Sequence, residues 1–297
     1  MPRRNPTRSS FFPQQDPRRS STSVRLQPAW FKTEPIAAKV PEVTALFWVV
    51  KISTTAAGEA ISDWIGLKQN IKWGFFLDIF LFFSALYLQF SARRYRAWRY
   101  WYLALAIATA GTGVADTMHL ALNLPYSVTS LFWLIVLAGI FFLWNRSEHT
   151  LDIHSITTNR REKYYWAVVL ATFCLGTAVG DFAATTLHLG YLASAAVFCG
   201  IILIPFVGWK FMNWNSVFAF WFAYVITRPI GASFADYLSK AHNISGANLG
   251  DWQTALLFTA IVVVLVAYTA KARYDIQPEL QATGTNEVAG GPLPEPS

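Results

Sequence analysis

From residue 42 to residue 271 the chain alternates long apolar runs with short polar breaks. Eight runs of about 18–24 residues can be delimited, at 42–65, 71–90, 99–122, 125–144, 164–186, 188–208, 215–239 and 252–271. At 1.5 Å per residue each is long enough as a helix to cross the ~30 Å of a bilayer's hydrocarbon core. Backbone groups in lipid must be satisfied within the segment, so helices are the natural form for runs this long and apolar. The pattern therefore predicts an all-α integral membrane protein with eight transmembrane helices.

Within that pattern a second period appears. Four times a tryptophan is followed ten residues later by glycine and five residues after that by aspartate: Trp48/Gly58/Asp63, Trp101/Gly111/Asp116, Trp166/Gly176/Asp181 and Trp221/Gly231/Asp236. An aromatic precedes each tryptophan (Phe47, Tyr100, Tyr165, Phe220), and a small residue precedes each aspartate (Ser62, Ala115, Gly180, Ala235). With 13 tryptophans in the chain, chance predicts well under one such match, so the chain is an internal repeat. Each copy pairs a motif helix with a plainer second helix, giving four helical-hairpin repeats at about 39–92, 93–146, 160–210 and 211–272. The flanks read differently. Residues 1–38 are Arg/Ser/Pro-rich and residues 273–297 polar and Pro/Gly-rich, which predicts a disordered basic arm and a disordered tail.

Composition agrees with a bilayer environment: 54% of residues are hydrophobic and only 14% charged. The net charge of +7 is concentrated, since residues 1–40 carry eight Lys/Arg against two acids. A charge held by a tail and not by a folded face argues against nucleic-acid binding. The two cysteines, Cys174 and Cys199, lie inside apolar runs and suggest no disulfide framework. The remaining basic residues orient the spans. Arg93, Arg94, Arg96 and Arg99, then Arg160, Arg161 and Lys163, then Lys210, Lys271 and Arg273 all fall on one side, against Lys68, Lys72 and Lys240 on the other. The positive-inside rule puts the first group, and both termini, in the cytoplasm. All four motif helices then run outward, as parallel copies and not as an inverted pair.

The motif residues suggest roles by position. The tryptophans, near the cytoplasmic start of each motif helix, read as interfacial anchors. Gly58, Gly111, Gly176 and Gly231, each followed four residues later by a small residue, predict close contacts between motif helices in the centre of the bundle. The aspartates sit roughly 22 Å of helical rise beyond the tryptophans, in the outer part of the membrane. Asp78 reaches a similar depth from the second helix, and Glu59 lies one turn below Asp63. With Thr55 and His119 these acids predict a polar cluster open to the outside, in which Asp63 and Asp236, nearest the loops, are the first candidates for a merely structural role, cross-linking helices or solvated by external water. Intramembrane charges cost at least ~2.5–3.5 kcal/mol each and call for partners or a task. Lys51 and Arg228 lie deep in their spans and are candidates to neutralise Glu59 or an aspartate. Only the first repeat carries an acid after its glycine; the others have Thr112, Thr177 and Ala232. Glu59 with Arg228 is thus the first candidate for a functional centre. No catalytic or metal-ligand spacing of known type is present, and an oxygen-and-imidazole site for Mn²⁺ or Zn²⁺ remains a weak signal with its metal undetermined.

The stretch from Lys39 to Gly66 resembles the first repeat of a family of bacterial multi-pass membrane proteins of unknown function, defined by a tandem repeat. The Val40-Pro41-Glu42-Val43-Thr44 entry, Phe47-Trp48, Lys51, Thr54-Thr55, Gly58-Glu59 and Asp63 carry that resemblance. It covers about residues 39–272 and implies a membrane bundle in the bacterial inner membrane, without an activity. Function therefore rests on the residues. The leading expectation is a transporter or exporter of a small cation or small solute using intramembrane carboxylates, not an enzyme and without a cofactor. The bilayer and the solute are its partners, and the oligomeric state is left open. The alternative is a non-transporting membrane sensor or scaffold, and a weaker third reading is an intramembrane metal-dependent enzyme.

Overall fold

The computed structural model describes residues 39–68, 71–273 and 275. The basic arm at 1–38 and nearly all of the 273–297 tail lie outside the described residues. No β-strand occurs among them. In chain order the helices are α1 (Ala45–Lys68), α2 (Ile71–Phe90), α3 (Ala97–Leu120), α4 (Tyr126–Glu148), α5 (Asn159–Asp181), α6 (Tyr191–Ile201), α7 (Leu203–Phe211), α8 (Ser216–Ser239) and α9 (Asp251–Ala272). The sixth predicted run is broken at Ile202 into α6 and α7, with Pro205 just beyond the break. A proline in the first turn of α7 lacks an N–H that would otherwise continue the ladder from α6. Helix starts follow local chemistry where caps are present. The Thr158 side chain accepts from Arg161 N at the start of α5, and Asn215 accepts from Val217 N and Phe218 N at the start of α8. After Asp181 the helix widens into one π-helical turn, Phe182–Thr186.

Five segments are long and apolar enough to cross a membrane: Tyr126–Glu148, Asn159–Thr186, Tyr191–Phe211, Ser216–Ser239 and Asp251–Ala272. The apolar part of α2, Gly74–Phe90, is shorter, and α1 and α3 are too polar to qualify. Burial explains the difference in roles. In α5 and α8, 72% and 56% of the most apolar window is buried, against 17% in α4, 28% in α6–α7 and 22% in α9. The motif helices α1, α3, α5 and α8 form an inner ring, and the second helices clothe it. Those outer helices present large apolar side chains outward, such as Phe76, Phe80 and Phe83 of α2, Ile135 and Phe142 of α4, and Leu256 and Val264 of α9. An apolar exterior of this extent is compatible with lipid around it.

Two contacts define the ring and both close on themselves. A Cβ built on Gly111 would stand 2.7 Å from Phe173 Cβ, one on Gly176 2.6 Å from Arg228 Cβ, and one on Gly231 2.8 Å from Thr55 Cβ; one on Gly58 would overlap Ala108 Cβ. Thr55, Ala108, Phe173 and Arg228 all lie seven residues after the repeat tryptophan. Every motif glycine thus receives the same position of the next motif helix, in the order α1, α3, α5, α8 and back to α1. The same cycle recurs near the helix starts. Phe47 packs on Trp101 (ring centroids 5.7 Å apart), Tyr100 on Trp166 (5.2 Å), Tyr165 on Trp221 (6.0 Å) and Phe220 on Trp48 (5.7 Å). Matching heights at both levels require the four motif helices to be parallel. The expected central glycine contacts are present.

The hairpins, however, are not the packing units. The second helices α2, α4, α6 and α9 lie chiefly against α3, α5, α8 and α1 respectively. Each therefore leans on the motif helix of the following repeat, so the repeats interlock around the ring. The tryptophan reading also needs correction. Trp101, Trp166 and Trp221 are 3%, 4% and 5% exposed, and the Trp221 indole donates to Leu151 O at 2.8 Å. They are inter-repeat packing residues, and their apolar faces meet protein where an interfacial anchor would meet headgroups.

Candidate functional site

The ring encloses an axis, and the polar side chains of the motif helices occupy it in layers. Above the aromatic layer the hydroxyls of Tyr100 and Tyr165 hydrogen-bond to one another. Next comes Lys51, 1% exposed, whose ammonium lies 4.0 Å from the centroid of the Phe173 ring and 4.2 Å from that of Tyr224. Two aromatic faces replace part of its lost hydration. Among the described residues it has no carboxylate partner, so the expected pairing of Lys51 with an acid is not what the structure shows. Its helix position points it below the acids, onto the next layer's Phe173.

The layer around Arg228 is the most connected. Arg228 is wholly buried and pairs with Glu59 at 2.5 Å (Nη2 to Oε2). The same nitrogen donates to Thr177 Oγ1 at 2.7 Å and to Thr112 Oγ1, while Nη1 donates to Thr55 O at 2.9 Å. Thr112 in turn donates to Glu59 Oε2 at 3.0 Å. Glu59, Thr112 and Thr177 hold the same position in three repeats, one after the glycine, and Arg228 reaches all three from the fourth. A guanidinium presents several donors in a fixed plane, which suits such a convergence. Gly176 makes it possible, because any side chain there would collide with the stem of Arg228. Pro229, inside α8 and next to Arg228, removes one backbone donor from that helix.

Beyond this layer the repeat aspartates gather. Asp63 pairs with Lys240 at 2.6 Å, and Lys240 stands 3.7 Å from Asp236. Burial opposes the charge on Lys240, but the Asp236 and Asp63 carboxylates outweigh it and hold the ammonium above its ordinary range. One carboxylate oxygen each from Glu59, Asp63 and Asp236 lies within 4.8 Å of the other two. Asp116 and Asp181 lie within electrostatic range of these acids and are only half-buried. Asp63 and Asp236, by contrast, are 8% and 4% exposed. Of the two structural readings of this pair, solvation by external water is not what the structure shows, and Lys240 from the turn after α8 bridges the two carboxylates. Exposure falls along the axis, from Asp116 and Asp181 through Asp63, Asp236 and Glu59 to Arg228.

Three other residues resolve differently. Thr55 contributes through its backbone carbonyl, while its hydroxyl donates to Ile52 O at 2.6 Å. Asp78 stands beside Gly113 and Ser62 at the α2–α3 contact, at the periphery of the layer, with one buried carboxylate oxygen lacking a hydrogen bond. His119 does not join the cluster. Its Nδ1 meets Leu124 O at 2.8 Å and its ring stacks on Tyr126 at 3.8 Å, so it fastens the turn after α3. The site is consequently built of oxygens and two cations, without imidazole.

A second buried charge pair, at the opposite end, had no sequence reading. Lys39 pairs with Glu162 at 2.5 Å, both side chains 1% exposed, and Gln89 Nε2 donates to Glu162 Oε1 at 2.9 Å. Lys39 Nζ also donates to Ala92 O at 3.1 Å. The entry strand is thereby tied to the end of α2 and the start of α5.

A family described as Repeat of Unknown Function (DUF347) matches the chain in three copies, over residues 99–150, 164–213 and 219–274. The first structural repeat lies outside those matches, yet Trp48, Gly58 and Asp63 occupy the ring positions of the matched copies. Comparison with curated proteins and with solved structures gives no match.

Proposed function

We propose, for a chain that belongs to the DUF347 repeat family and takes no activity from it, that this membrane protein transports a small cation or a small solute coupled to one. The observation that carries the reading is the axial gradient. Among the described residues, five acids of the motif helices face two cations, Arg228 and Lys240, and their exposure falls from one end of the ring toward the Arg228 layer. Uncompensated carboxylates in a low-dielectric bundle must be met by protons or cations. Asp116 and Asp181 would be the entry sites, Asp63, Asp236 and Glu59 the deeper ones, and Arg228 the plug that separates them from Lys51 and the aromatic layer. With the basic loops inside, both termini are cytoplasmic, the acid end faces outward, and the bacterial inner membrane is the address. No catalytic step is assigned.

The test is uptake or release by the purified protein in proteoliposomes, screened with protons, alkali and divalent cations as driving ions. Glu59→Gln, which keeps shape and hydrogen bonding, abolishes flux while the protein remains folded. Wild-type flux in that variant across a range of external pH would remove the reason for preferring transport. A second reading, a non-transporting scaffold, draws on the buried Arg228 network, which ties three repeats to the fourth. It would be favoured if no ion drives flux and Glu59→Gln changes stability alone.

A further inference from the structure

The end of the axis where Asp63, Asp236 and Glu59 meet holds more than a set of acids. A cation already stands there, the ammonium of Lys240, delivered by the residue that follows α8 and not by any repeat position. The space it fills is accordingly cation-sized. Two buried oxygens without partners also lie on the helix that carries Asp236. Ser233 and Ser239 lie three residues to either side of Asp236, on the same face of α8. Their hydroxyls are 1% and 5% exposed and make no hydrogen bond. Asp236 itself is 4% exposed, and the Lys240 ammonium stands 3.7 Å from it. The donors are carboxylate and hydroxyl oxygens only, the set preferred by hard cations. One oxygen from each of Glu59, Asp63 and Asp236 lies within 4.8 Å of the other two, close enough for a single ion to reach all three.

We propose that Glu59, Asp63 and Asp236 form a site for a hard divalent cation, which the Lys240 ammonium occupies as a tethered competitor. This deepens the cation-coupled reading and rests on it. Glu59 gives one oxygen to Arg228 and offers the other to the cation, so occupancy of the site bears directly on the plug. With Arg228 held against Glu59, a divalent ion replacing Lys240 balances the three carboxylates, whereas a single ammonium leaves one negative charge.

The experiment is a titration of the full-length protein in nanodiscs with Mn²⁺, followed by loss of the free-ion electron paramagnetic resonance signal. Ca²⁺ and Mg²⁺ serve as competitors. Lys240→Met binds Mn²⁺ at least tenfold more tightly than wild type, because the internal competitor is gone. Adding Asp63→Asn or Asp236→Asn to that variant weakens binding at least tenfold, while Asp152→Asn, at the other end of the molecule, changes nothing. Ca²⁺ or Mg²⁺ in excess displaces Mn²⁺. Should Lys240→Met fold poorly, Lys240→Gln gives the same comparison with a polar side chain. Equal affinity in wild type and the Lys240 variants, or binding indifferent to Asp236→Asn, overturns the proposal. Metal binding without flux would count against transport and leave the site standing; flux without metal binding would do the reverse.

Discussion

Replacing Arg228 by Met tests the centre of the bundle most directly. The substitution keeps an apolar stem of similar length beside Gly176 but removes the guanidinium and its bonds to Thr55, Glu59, Thr112 and Thr177. Glu59, 3% exposed, then keeps only the Thr112 hydroxyl and has no counter-charge within its layer. Breaking a buried pair by deleting one partner costs about 3–5 kcal/mol, because the surviving charge is stranded. At 1.36 kcal/mol per decade that is a loss of roughly 10²–10⁴ in the folding equilibrium. Removing both charges together is different. Arg228→Met with Glu59→Gln eliminates the stranded carboxylate, and replacing a whole buried pair is often neutral. The double variant should recover to within about 1–2 kcal/mol of wild type, so the coupling across the cycle is at least about 1–4 kcal/mol and grows by whatever Glu59→Gln costs alone. Reversible unfolding in mixed micelles, followed by tryptophan fluorescence, measures all four corners. If Arg228→Met unfolds within 1 kcal/mol of wild type, or the two single losses simply add, the guanidinium is not neutralising Glu59 and the plug is misassigned.

Packing gives a sharper contrast between glycines. Gly111→Ala puts a Cβ 2.7 Å from Phe173 Cβ and should cost about 1–3 kcal/mol, whereas Gly139→Ala on α4, with nothing within 4 Å, should be neutral; equal thermal midpoints for the two would refute the ring. Reporter fusions after residues 68, 123, 187 and 245 should all report the outside, and one of them reporting the cytoplasm breaks the parallel arrangement. The Lys240 contribution has a defined pH signature. Its folded value is raised above the ordinary 10.5, so its stabilisation is fully present below that value and fades only as pH rises through the higher one. The difference in thermal midpoint between wild type and Lys240→Met should therefore not shrink as pH rises to about 9; a difference that shrinks by pH 9 would mean that Lys240 is not held as an ammonium by Asp63 and Asp236.

What was legible in the sequence is what is covalent and local. The Trp/Gly/Asp period marks which residues are equivalent, and the acid after Gly58 together with the lone Arg228 pointed to the central pair. The neighbour relation was not legible. That each glycine faces the next repeat's residue seven after the tryptophan depends on how four helices close into a ring, which no single helix encodes. The same gap misled the reading of the tryptophans. Near a helix end an indole suits either headgroups or a neighbouring aromatic, and only the ring supplies Tyr100 for Trp166 and Tyr165 for Trp221. Glu162 was hidden by its surroundings, since Arg160, Arg161 and Lys163 make the segment look like an ordinary cytoplasmic flank. Lys240 was counted as a loop charge because its partners lie on α1 and one turn back on α8, distances that depend on the fold of the turn.

The ring also explains how four similar helices make one unlike site. A cyclic arrangement brings equivalent positions to the axis together, so a substitution in one copy is presented to all the others. Seven residues after the tryptophan stand Thr55, Ala108, Phe173 and Arg228; only the last is long and charged, and it enters a layer whose other members are Glu59, Thr112 and Thr177. Three oxygen-bearing side chains from three repeats thus serve one guanidinium from the fourth. Its own repeat has Ala232 at the corresponding place, where no further acceptor is required. One layer outward, the aspartates remain alike in all four copies. There the asymmetry comes from outside the repeat, as Lys240 covers Asp63 and Asp236 and leaves Asp116 and Asp181 half-open. The distinction between entry and deeper acids therefore follows from the turn after α8, so replacing Lys240 should alter access to Asp236 before it alters the Arg228 layer beneath.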